Sequence, residues 1–373
     1  MSRGLRVGSI FGIKITIDYT WFIVLVFFAW SLAFGYFPAK YPDFDKAAYM
    51  FMGLVSAVLL FACVLIHEIS HSYVSNALGV RVSEITLFIF GGVAHLSEEP
   101  QDPVTELKIA LAGPLASVVL AAVFWFAAGI ANGVVNPLIT AILSYLSMIN
   151  VVLVVFNMIP GFPLDGGRVL RALWWLKSGN LARATAIASG VGRGFAYLLI
   201  LLGALQVLRG NISGLWSIFI GVFLKQAAGS SYEQLIIKQA LEGVKVRDLM
   251  SKDIVTIDEG VSVADAVDGY FLKHHYTSFP VVSFGRPTGL LFFASIRGLQ
   301  KEEWPIKRVA EVMTRLEPAD MLGPESAAID ALVRMFNKGA GRLIVVESGR
   351  LVGVVSRRDI MKLMEFKAGL RGM

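Results

Sequence analysis

Three residues in the second apolar segment of the chain could carry out chemistry together. His67, Glu68 and His71 lie in the stretch FACVLIHEISHSYV, residues 61–74. On a helix, the H-E-x-x-H spacing places two imidazoles on one face with a carboxylate beside the first, which is an arrangement that holds zinc and activates water. The spacing therefore predicts a metal site. The alternative is a buried histidine pair that only packs helices together.

The surroundings of these residues favour the functional interpretation. An apolar run begins near Tyr49 and continues through Ile66, which is long enough to cross the hydrocarbon core of a bilayer. Ionisable side chains are costly inside such a helix, so their presence indicates a function.

The composition of the whole chain indicates a membrane protein. Its 373 residues are 55% hydrophobic and 17% charged, and the mean hydropathy is +0.65. The chain is therefore too apolar for an ordinary soluble domain and long enough for more than one domain. The net charge of +6 comes largely from loops and the C-terminal third, which favours a positive-inside orientation over nucleic-acid binding. The single cysteine, Cys63, excludes an internal disulfide.

About six apolar segments are predicted as membrane spans. They cover approximately residues 17–37, 49–79, 107–130, 138–159, 186–208 and 214–228, and the last is the shortest. Residues 81–96 lie between the second and third spans and alternate in hydropathy around Gly91-Gly92, which predicts a short β-hairpin. Its edge could pair with an unwound substrate segment, or it could be a simple connector. His95 is predicted to be a surface loop histidine.

A second stretch whose residues could take part in chemistry lies at the end of the fourth span. The sequence NMIPGFPLDGGR, residues 157–168, contains two prolines and three glycines, so irregular backbone is expected at membrane depth. Such backbone is tolerated only where protein or a watery cavity surrounds it. Asp165 should therefore face a polar interior, where a carboxylate could be the third ligand and leave a fourth position for water. The alternative is an aspartate that only caps a turn or helix.

Helix lengths place the two stretches at a similar depth. At 1.5 Å per residue, His67 lies about 27 Å along the second span and Asn157 about 28 Å along the fourth, which runs in the same direction. The predicted loop 168–183 contains four basic residues, whereas the connection 131–137 contains none. The positive-inside rule then places the N-terminus and the metal site on the cytosolic side.

The motifs together resemble the site-2 protease family, peptidase family M50, in the branch that carries C-terminal CBS domains. H-E-x-x-H at 67–71, Gly91-Gly92 and N-x-x-P-x-x-P-L-D-G-G at 157–167 occur in the family's order within residues 1–228. The resemblance implies that His67, His71 and Asp165 bind one zinc ion, that Glu68 is the general base and that Asn157 assists near the scissile carbonyl. It implies an intramembrane zinc metalloprotease that cleaves spans of single-span membrane proteins, as in regulated intramembrane proteolysis.

The C-terminal third is a repeated unit. KVRDLM at 245–250 recurs as RVAEVM at 308–313, and GLLFFASI at 289–296 recurs as GVVSRRDI at 353–360. Each repeat is predicted as strand, helix, two strands and helix. The predicted boundaries are a linker at 229–244, a first repeat at 245–303 and a second repeat at 304–373.

The two repeats resemble a tandem pair of CBS domains, a module that binds adenine nucleotides in many proteins. Gly353, Ser356 and Asp359 keep the pattern G-h-h-S-x-x-D, and the resemblance implies that Asp359 contacts ribose hydroxyls and Ser356 a phosphate. The first repeat has Phe292 and Ser295 at the matching places, so at most one good nucleotide site is expected. A purely structural pair, or one that forms a homodimer, is the alternative.

The sequence thus predicts a polytopic α-helical membrane domain followed by cytosolic α/β CBS domains, located in the cell membrane and acting on membrane-protein substrates. A CBS-gated transporter, in which the two histidines and Asp165 line an ion path, is the competing hypothesis. Glu68 favours the protease because water activation needs a base beside the first ligand. An inactive homologue is disfavoured, since no ligand position is lost.

Overall fold

The computed structural model describes residues 4–89, 91–96, 99–132 and 136–371. It divides into two compact units, Met1–Gln234 and Leu235–Met373. Within the described residues, five helical segments are long and apolar enough to cross a membrane. These are Tyr19–Lys40, Lys46–Ala77, Pro103–Ala131, Pro137–Asn157 and Leu181–Leu208.

The first unit begins with a four-stranded sheet. Its strands are β1 (Gly4–Ile10), β2 (Ile13–Asp18), β3 (Val82–Phe88) and β4 (Gly91–Leu96), in the order β1-β2-β3-β4. The predicted hairpin at 81–96 is confirmed as the antiparallel pair of β3 and β4. The hairpin of β1 and β2, which joins β3 through a parallel pairing, was not predicted. His95 falls in β4 and not in a loop, and its side chain lies outside the described part of the chain.

The sheet packs on the helix that carries the H-E-x-x-H motif. Ile13, Val82 and Ile85 are buried, and Leu65 and Ile69 of that helix pack against them. The apolar face of the sheet therefore holds it beside the motif.

Seven helices of the described chain lie within the first unit, and an eighth, α8, begins in it. They are α1 (Tyr19–Ser31), α2 (Phe37–Lys40), α3 (Lys46–Ala77), α4 (Pro103–Ala131), α5 (Pro137–Asn157), α6 (Asp165–Ser178), α7 (Leu181–Leu208) and α8 (Gly214–Leu241). A π-helical turn, Leu32–Tyr36, joins α1 to α2, so both belong to one span. α4 packs against α3, α5 and α6, so it contacts both the helix with the H-E-x-x-H motif and the helix that begins at Asp165.

Local chemistry fixes where the long helices begin. The side chains of Asp45, Asp102 and Asn136 accept hydrogen bonds from backbone amides in the first turns of α3, α4 and α5. Pro103 and Pro137 follow two of these caps at the first helical position, where the missing N–H costs nothing. Asp18 caps α1 in the same way, so the first span begins at Tyr19 and not at Ile17.

The sixth predicted span is part of a longer helix. Residues 214–228 form the first half of α8, which continues to Leu241. α8 is not among the five membrane-capable helices of the described chain, and its second half carries Glu233 and Lys238.

The predicted basic loop 168–183 is mostly helix. α6 runs from Asp165 to Ser178 and is capped by Gly179, whose φ of 65° suits glycine. Arg171 of α6 is buried in an ion pair with Glu106 of α4, so it is not a free flanking charge. Lys177 and Arg183 are exposed, and the orientation in the membrane stays a prediction based on them.

The second unit has the repeated pattern that the sequence predicts. Its elements are α9 (Val246–Leu249), β5 (Ile257–Asp258), α10 (Val263–Ala266), α11 (Leu272–His274), β6 (Ser278–Ser283), β7 (Arg286–Phe292), α12 (Phe293–Arg297), α13 (Val309–Val312), β8 (Thr314–Arg315), β9 (Met321–Leu322), α14 (Ala328–Lys338), β10 (Arg342–Glu347), β11 (Arg350–Ser356) and α15 (Arg357–Arg371). They form two sheets, ordered β5-β6-β7-β8 and β11-β10-β9. In each sheet a parallel pair adjoins an antiparallel hairpin.

The two repeats exchange their first helices. Val246 of α9 is fully buried in the core of the second repeat, with Leu343 and Val345. Val309 of α13 is fully buried in the core of the first repeat, with Phe279 and Val281. α9 therefore completes the core of the second repeat, although it precedes the strands of the first. α13 completes the core of the first repeat, although it precedes the strands of the second.

Candidate metal centre

Two histidines and one aspartate from distant parts of the sequence meet at a single point. Nε2 of His67 lies 3.1 Å from Oδ2 of Asp165, and Nε2 of His71 lies 3.2 Å from the same oxygen. The two Nε2 atoms are 3.2 Å apart. The structure thus brings together the three residues that the sequence singled out. In the described part of the chain, no other group of histidine, cysteine and acidic residues is clustered in this way.

The geometry of the three atoms fits one zinc ion. Tetrahedral zinc with nitrogen and oxygen ligands at 2.0–2.2 Å separates its ligand atoms by about 3.3–3.6 Å. The observed triangle of 3.1–3.2 Å is close to that size. Three protein ligands leave the fourth position free for a water molecule or a substrate atom, as catalytic zinc sites require.

The histidines face the interior because of their place on α3. Buried positions of this helix recur every three or four residues, at Leu60, Cys63, His67, His71 and Ser75. This spacing forms one stripe along a helix with 3.6 residues per turn. Both imidazoles therefore point in the same direction, toward α4 and α6.

α4 supplies the partner of each imidazole on its far side. Nδ1 of His67 lies 2.9 Å from Oγ of Ser117, and Nδ1 of His71 lies 2.7 Å from the carbonyl oxygen of Ile109. The carbonyl can only accept, so His71 carries its proton on Nδ1 and its Nε2 is free to bind metal. Fixing the ring orientation in this way is the usual task of residues behind a metal ligand.

A glycine of α4 makes room for the two imidazoles. A β-carbon built on Gly113 would lie 2.2 Å from Nε2 of His71 and 2.6 Å from Nε2 of His67. Neither Gly113 nor Ser117 was predicted from the sequence to be part of the metal site. One signal was available, because Gly113 and Ser117 are four residues apart, as are the two histidines that they contact.

Asp165 reaches the histidines because the preceding loop folds tightly back on itself. A β-carbon on Gly166 would lie 2.4 Å from the carbonyl group of Met158, and one on Gly167 would lie 2.3 Å from the carbonyl carbon of Gly161. The backbone amide of Phe162 donates a hydrogen bond to the carbonyl oxygen of Ala188 in α7. Gly161 in this loop, and Gly166 and Gly167 in the first turn of α6, therefore allow α6 to begin at the metal ligand itself.

Glu68 and Asn157, the predicted catalytic residues, are not part of the triangle. Glu68 is partly buried next to His67 on α3, and Gly92 of β4 faces it, since a β-carbon there would lie 2.4 Å from Cγ of Glu68. Asn157 is the partly buried last residue of α5, where the loop to Asp165 begins.

The three candidate nucleotide ligands lie at one junction in the second repeat. The Ser356 hydroxyl donates to Oδ2 of Asp359 at 2.6 Å, and the Asp359 amide lies 3.3 Å from that hydroxyl, so the pair caps α15. Gly353 packs against Met250, whose sulfur would lie 2.4 Å from an added β-carbon. Arg342 lies near Asp359 and donates to the carbonyl oxygen of Ser278 at 2.8 Å, which links the two repeats. Burial lowers the pKa of the Arg342 guanidinium, and the Asp359 carboxylate opposes that shift.

A helical membrane unit that brings together two buried histidines and one partly buried aspartate, with a glutamate beside the first histidine, defines the class of membrane metalloproteases. Comparison with known proteins agrees with this class. The description "Peptidase family M50" matches residues 55–136 and 129–201, and "CBS domain" matches residues 246–297 and 303–365. The chain belongs to peptidase family M50, it is a zinc metalloprotease, and the resemblance stated from its motifs is confirmed.

Full-length relatives share both units. A protein of Synechocystis named as a zinc metalloprotease is 33% identical over 99% of this chain and 97% of its own length. The Mycobacterium tuberculosis protein Rip3, also named as a zinc metalloprotease, is 31% identical over 98% of this chain and 94% of its own length. Among solved structures, the site-2 protease from Methanocaldococcus jannaschii is 30% identical, covers 61% of this chain and 95% of its own, and gives a TM-score of 0.43.

Proposed function

We propose that the chain hydrolyses peptide bonds inside the membrane spans of single-span membrane proteins. The observation that carries the proposal is the triangle of His67, His71 and Asp165, which fits one zinc ion inside an apolar helical unit, with Glu68 beside it. An ion path would need the ligands, but it would not need a base next to the first of them.

The chain's own residues have separate tasks in this reaction. His67, His71 and Asp165 hold the zinc ion, one per chain. When bound, zinc supplies Lewis acidity and lowers the pKa of a water molecule to about 7. Glu68 accepts the proton from the attacking water and passes it to the leaving amine. Asn157 donates its side-chain amide hydrogen near the scissile carbonyl.

β4 presents the substrate. A peptide bond in an intact membrane helix is shielded by the helix's own hydrogen bonds, so the substrate must unwind before attack. β4 is an edge strand of its sheet, and an extended segment can add to such an edge through main-chain hydrogen bonds. Because Gly92 of β4 faces Glu68, a strand added there lies next to the base.

The protein lies in the cell membrane with its N-terminus and its CBS domains in the cytosol. The exposed Lys177 and Arg183 after the metal site, and the absence of basic residues from the sequence 131–137, support this orientation. The active site then lies toward the cytosolic leaflet.

The CBS pair regulates access to the active site by binding an adenine nucleotide in the second repeat. Ser356 and Asp359 form one polar junction there, with the cation Arg342 nearby, which suits ribose and phosphate groups. Gly353 supports this junction through its packing. Two copies of the chain pair through these domains.

The experiment uses the purified full-length protein and a panel of single-span substrates, with and without a zinc chelator and ATP. The chelator should abolish cleavage by the wild type. Glu68→Gln should keep one zinc ion per chain and lose cleavage, because the amide cannot accept the proton. Asp43→Asn, a carboxylate change in an exposed loop of the membrane unit, should behave like the wild type. Cleavage that persists in Glu68→Gln would falsify the protease mechanism, and an ATP-independent rate would remove the nucleotide role.

A further inference from the structure

A buried ion pair joins the two helices that surround the metal site. Nε of Arg171 in α6 donates to Oε1 of Glu106 in α4 at 2.6 Å, and Nη2 contacts the same oxygen. Glu106 is fully buried, and Arg171 is 8% exposed. Within the described residues, Oε2 of Glu106 has no hydrogen-bond partner, so the hydrogen bonds to this carboxylate come from Arg171, and Arg168 of the same helix is a second nearby cation.

The pair lies in line with the residues of α4 that orient the histidines. Along α4, Glu106 is followed by Ile109, which binds His71, and by Ser117, which binds His67. Ile109 lies three residues after Glu106, and Ser117 lies eight residues, or about two helical turns, after Ile109. The three positions therefore share one face of the helix. One face of α4 therefore contacts both histidine ligands and, through Arg171, the helix that begins with the third ligand.

Arg171 also holds the segment that precedes Asp165. The guanidinium carbon of Arg171 lies 5.0 Å from the centre of the Phe162 ring, and Phe162 is buried. A cation at this distance from an aromatic face is attracted to it. Asp165 is thus fixed from both sides, by the loop through Phe162 and by α6 through Glu106.

We propose that Glu106 and Arg171 are positioning residues. They set the affinity for zinc by holding the Asp165 carboxylate in the position where it can bind the same ion as the two histidines. This inference rests on the proposed function of the same site. Stability alone gives no reason for the charges, because well-packed apolar residues often stabilise a buried site as well as an ion pair does. A guanidinium with fixed donor directions gives orientation, which an apolar contact does not.

The test measures zinc affinity directly, by competition with a chromogenic chelator, on full-length Glu106→Gln and Arg171→Met. Each variant should bind zinc about 10–100-fold more weakly, which is the usual effect of losing a residue behind a metal ligand. The absorption spectrum of the cobalt-substituted protein should change as well, because Asp165 moves relative to the histidines. Arg171→Lys should fall between the wild type and Arg171→Met, because the ammonium keeps the charge and loses the planar fork.

The control is Asn150→Ala, which removes a buried amide of α5 whose hydrogen bonds in the described structure go to the Leu146 carbonyl and to Cys63 and not to a zinc ligand. It should lower the melting temperature and leave the zinc affinity and the cobalt spectrum unchanged. The inference is overturned if the ion-pair variants behave like this control. If the neutral variants do not fold, Arg171→Lys decides, and wild-type zinc affinity in that variant overturns the inference. A wild type that binds no zinc would instead remove the proposed function.

Discussion

Gly113 of α4 faces His71 of α3 so closely that no side chain fits between them. A β-carbon on Gly113 would lie 2.2 Å from Nε2 of His71, and the other imidazole is almost as near. The glycine is therefore part of the shape of the metal site. It does more than allow two helices to approach each other in lipid.

Gly113→Ala should strongly reduce zinc binding. The added methyl group would overlap the metal-binding nitrogens, and the helices cannot separate without moving Ser117 away from His67. The zinc content of the purified variant should fall, with an affinity at least about tenfold weaker. Gly129→Ala in the same helix is the matched control, because nothing lies within 4 Å of its added β-carbon. Equal zinc content in the two variants would contradict the role assigned to Gly113.

Ser117→Ala should weaken zinc binding without preventing folding. The hydroxyl lies 2.9 Å from Nδ1 of His67, and without it the imidazole loses the partner that fixes its orientation. The expected loss of affinity is about tenfold. Ser147→Ala removes a hydroxyl that donates to the Ala121 carbonyl and should leave zinc affinity unchanged. A similar loss in both variants would mean that packing between helices explains the effect.

The sequence was sufficient to predict the metal ligands because each of them carries a local signal. The spacing of His67 and His71 places them on one helical face, and the prolines and glycines around Asp165 require irregular backbone at the same depth. Counting residues along two parallel helices then brings the stretches together. For Ser117 the four-residue spacing from Gly113 is a weaker signal, because a serine in an apolar helix suits lipid-embedded packing equally well.

Other features depend on contacts between segments that are distant in sequence. Six of the seven residues of β1 are exposed, so its sequence lacks the clear alternation of a half-buried strand. The ion pair of Glu106 and Arg171 spans 65 residues, and the basic residue was taken as a loop charge. The exchange of α9 and α13 between the repeats could not be predicted from the sequence either, because the two segments have the same residue pattern and each would fit either core.

Gly92→Ala should reduce cleavage while zinc is retained. The added β-carbon would lie 2.4 Å from Cγ of Glu68, so the base or β4 must shift, whereas the three zinc ligands are untouched. A loss in kcat of about tenfold or more is expected, since a positioned general base contributes about 10²–10⁴-fold. Gly8→Ala in β1 of the same sheet adds a β-carbon with nothing within 4 Å. If both variants cleave at the wild-type rate, Gly92 does not constrain the base.

Val246→Ala should destabilise the second CBS repeat, although the residue precedes the first repeat in the sequence. Val246 is fully buried among residues of the second repeat, and losing its two methyl groups costs about 2 kcal/mol, including the cavity that remains. Hydrogen exchange measured on the full-length protein should accelerate in β10, residues 342–347, more than in β6, residues 278–283. Val309→Ala, which removes the matching side chain from the core of the first repeat, should give the opposite pattern. If each substitution instead loosened the repeat that follows it in the sequence, the exchange of first helices would be wrong.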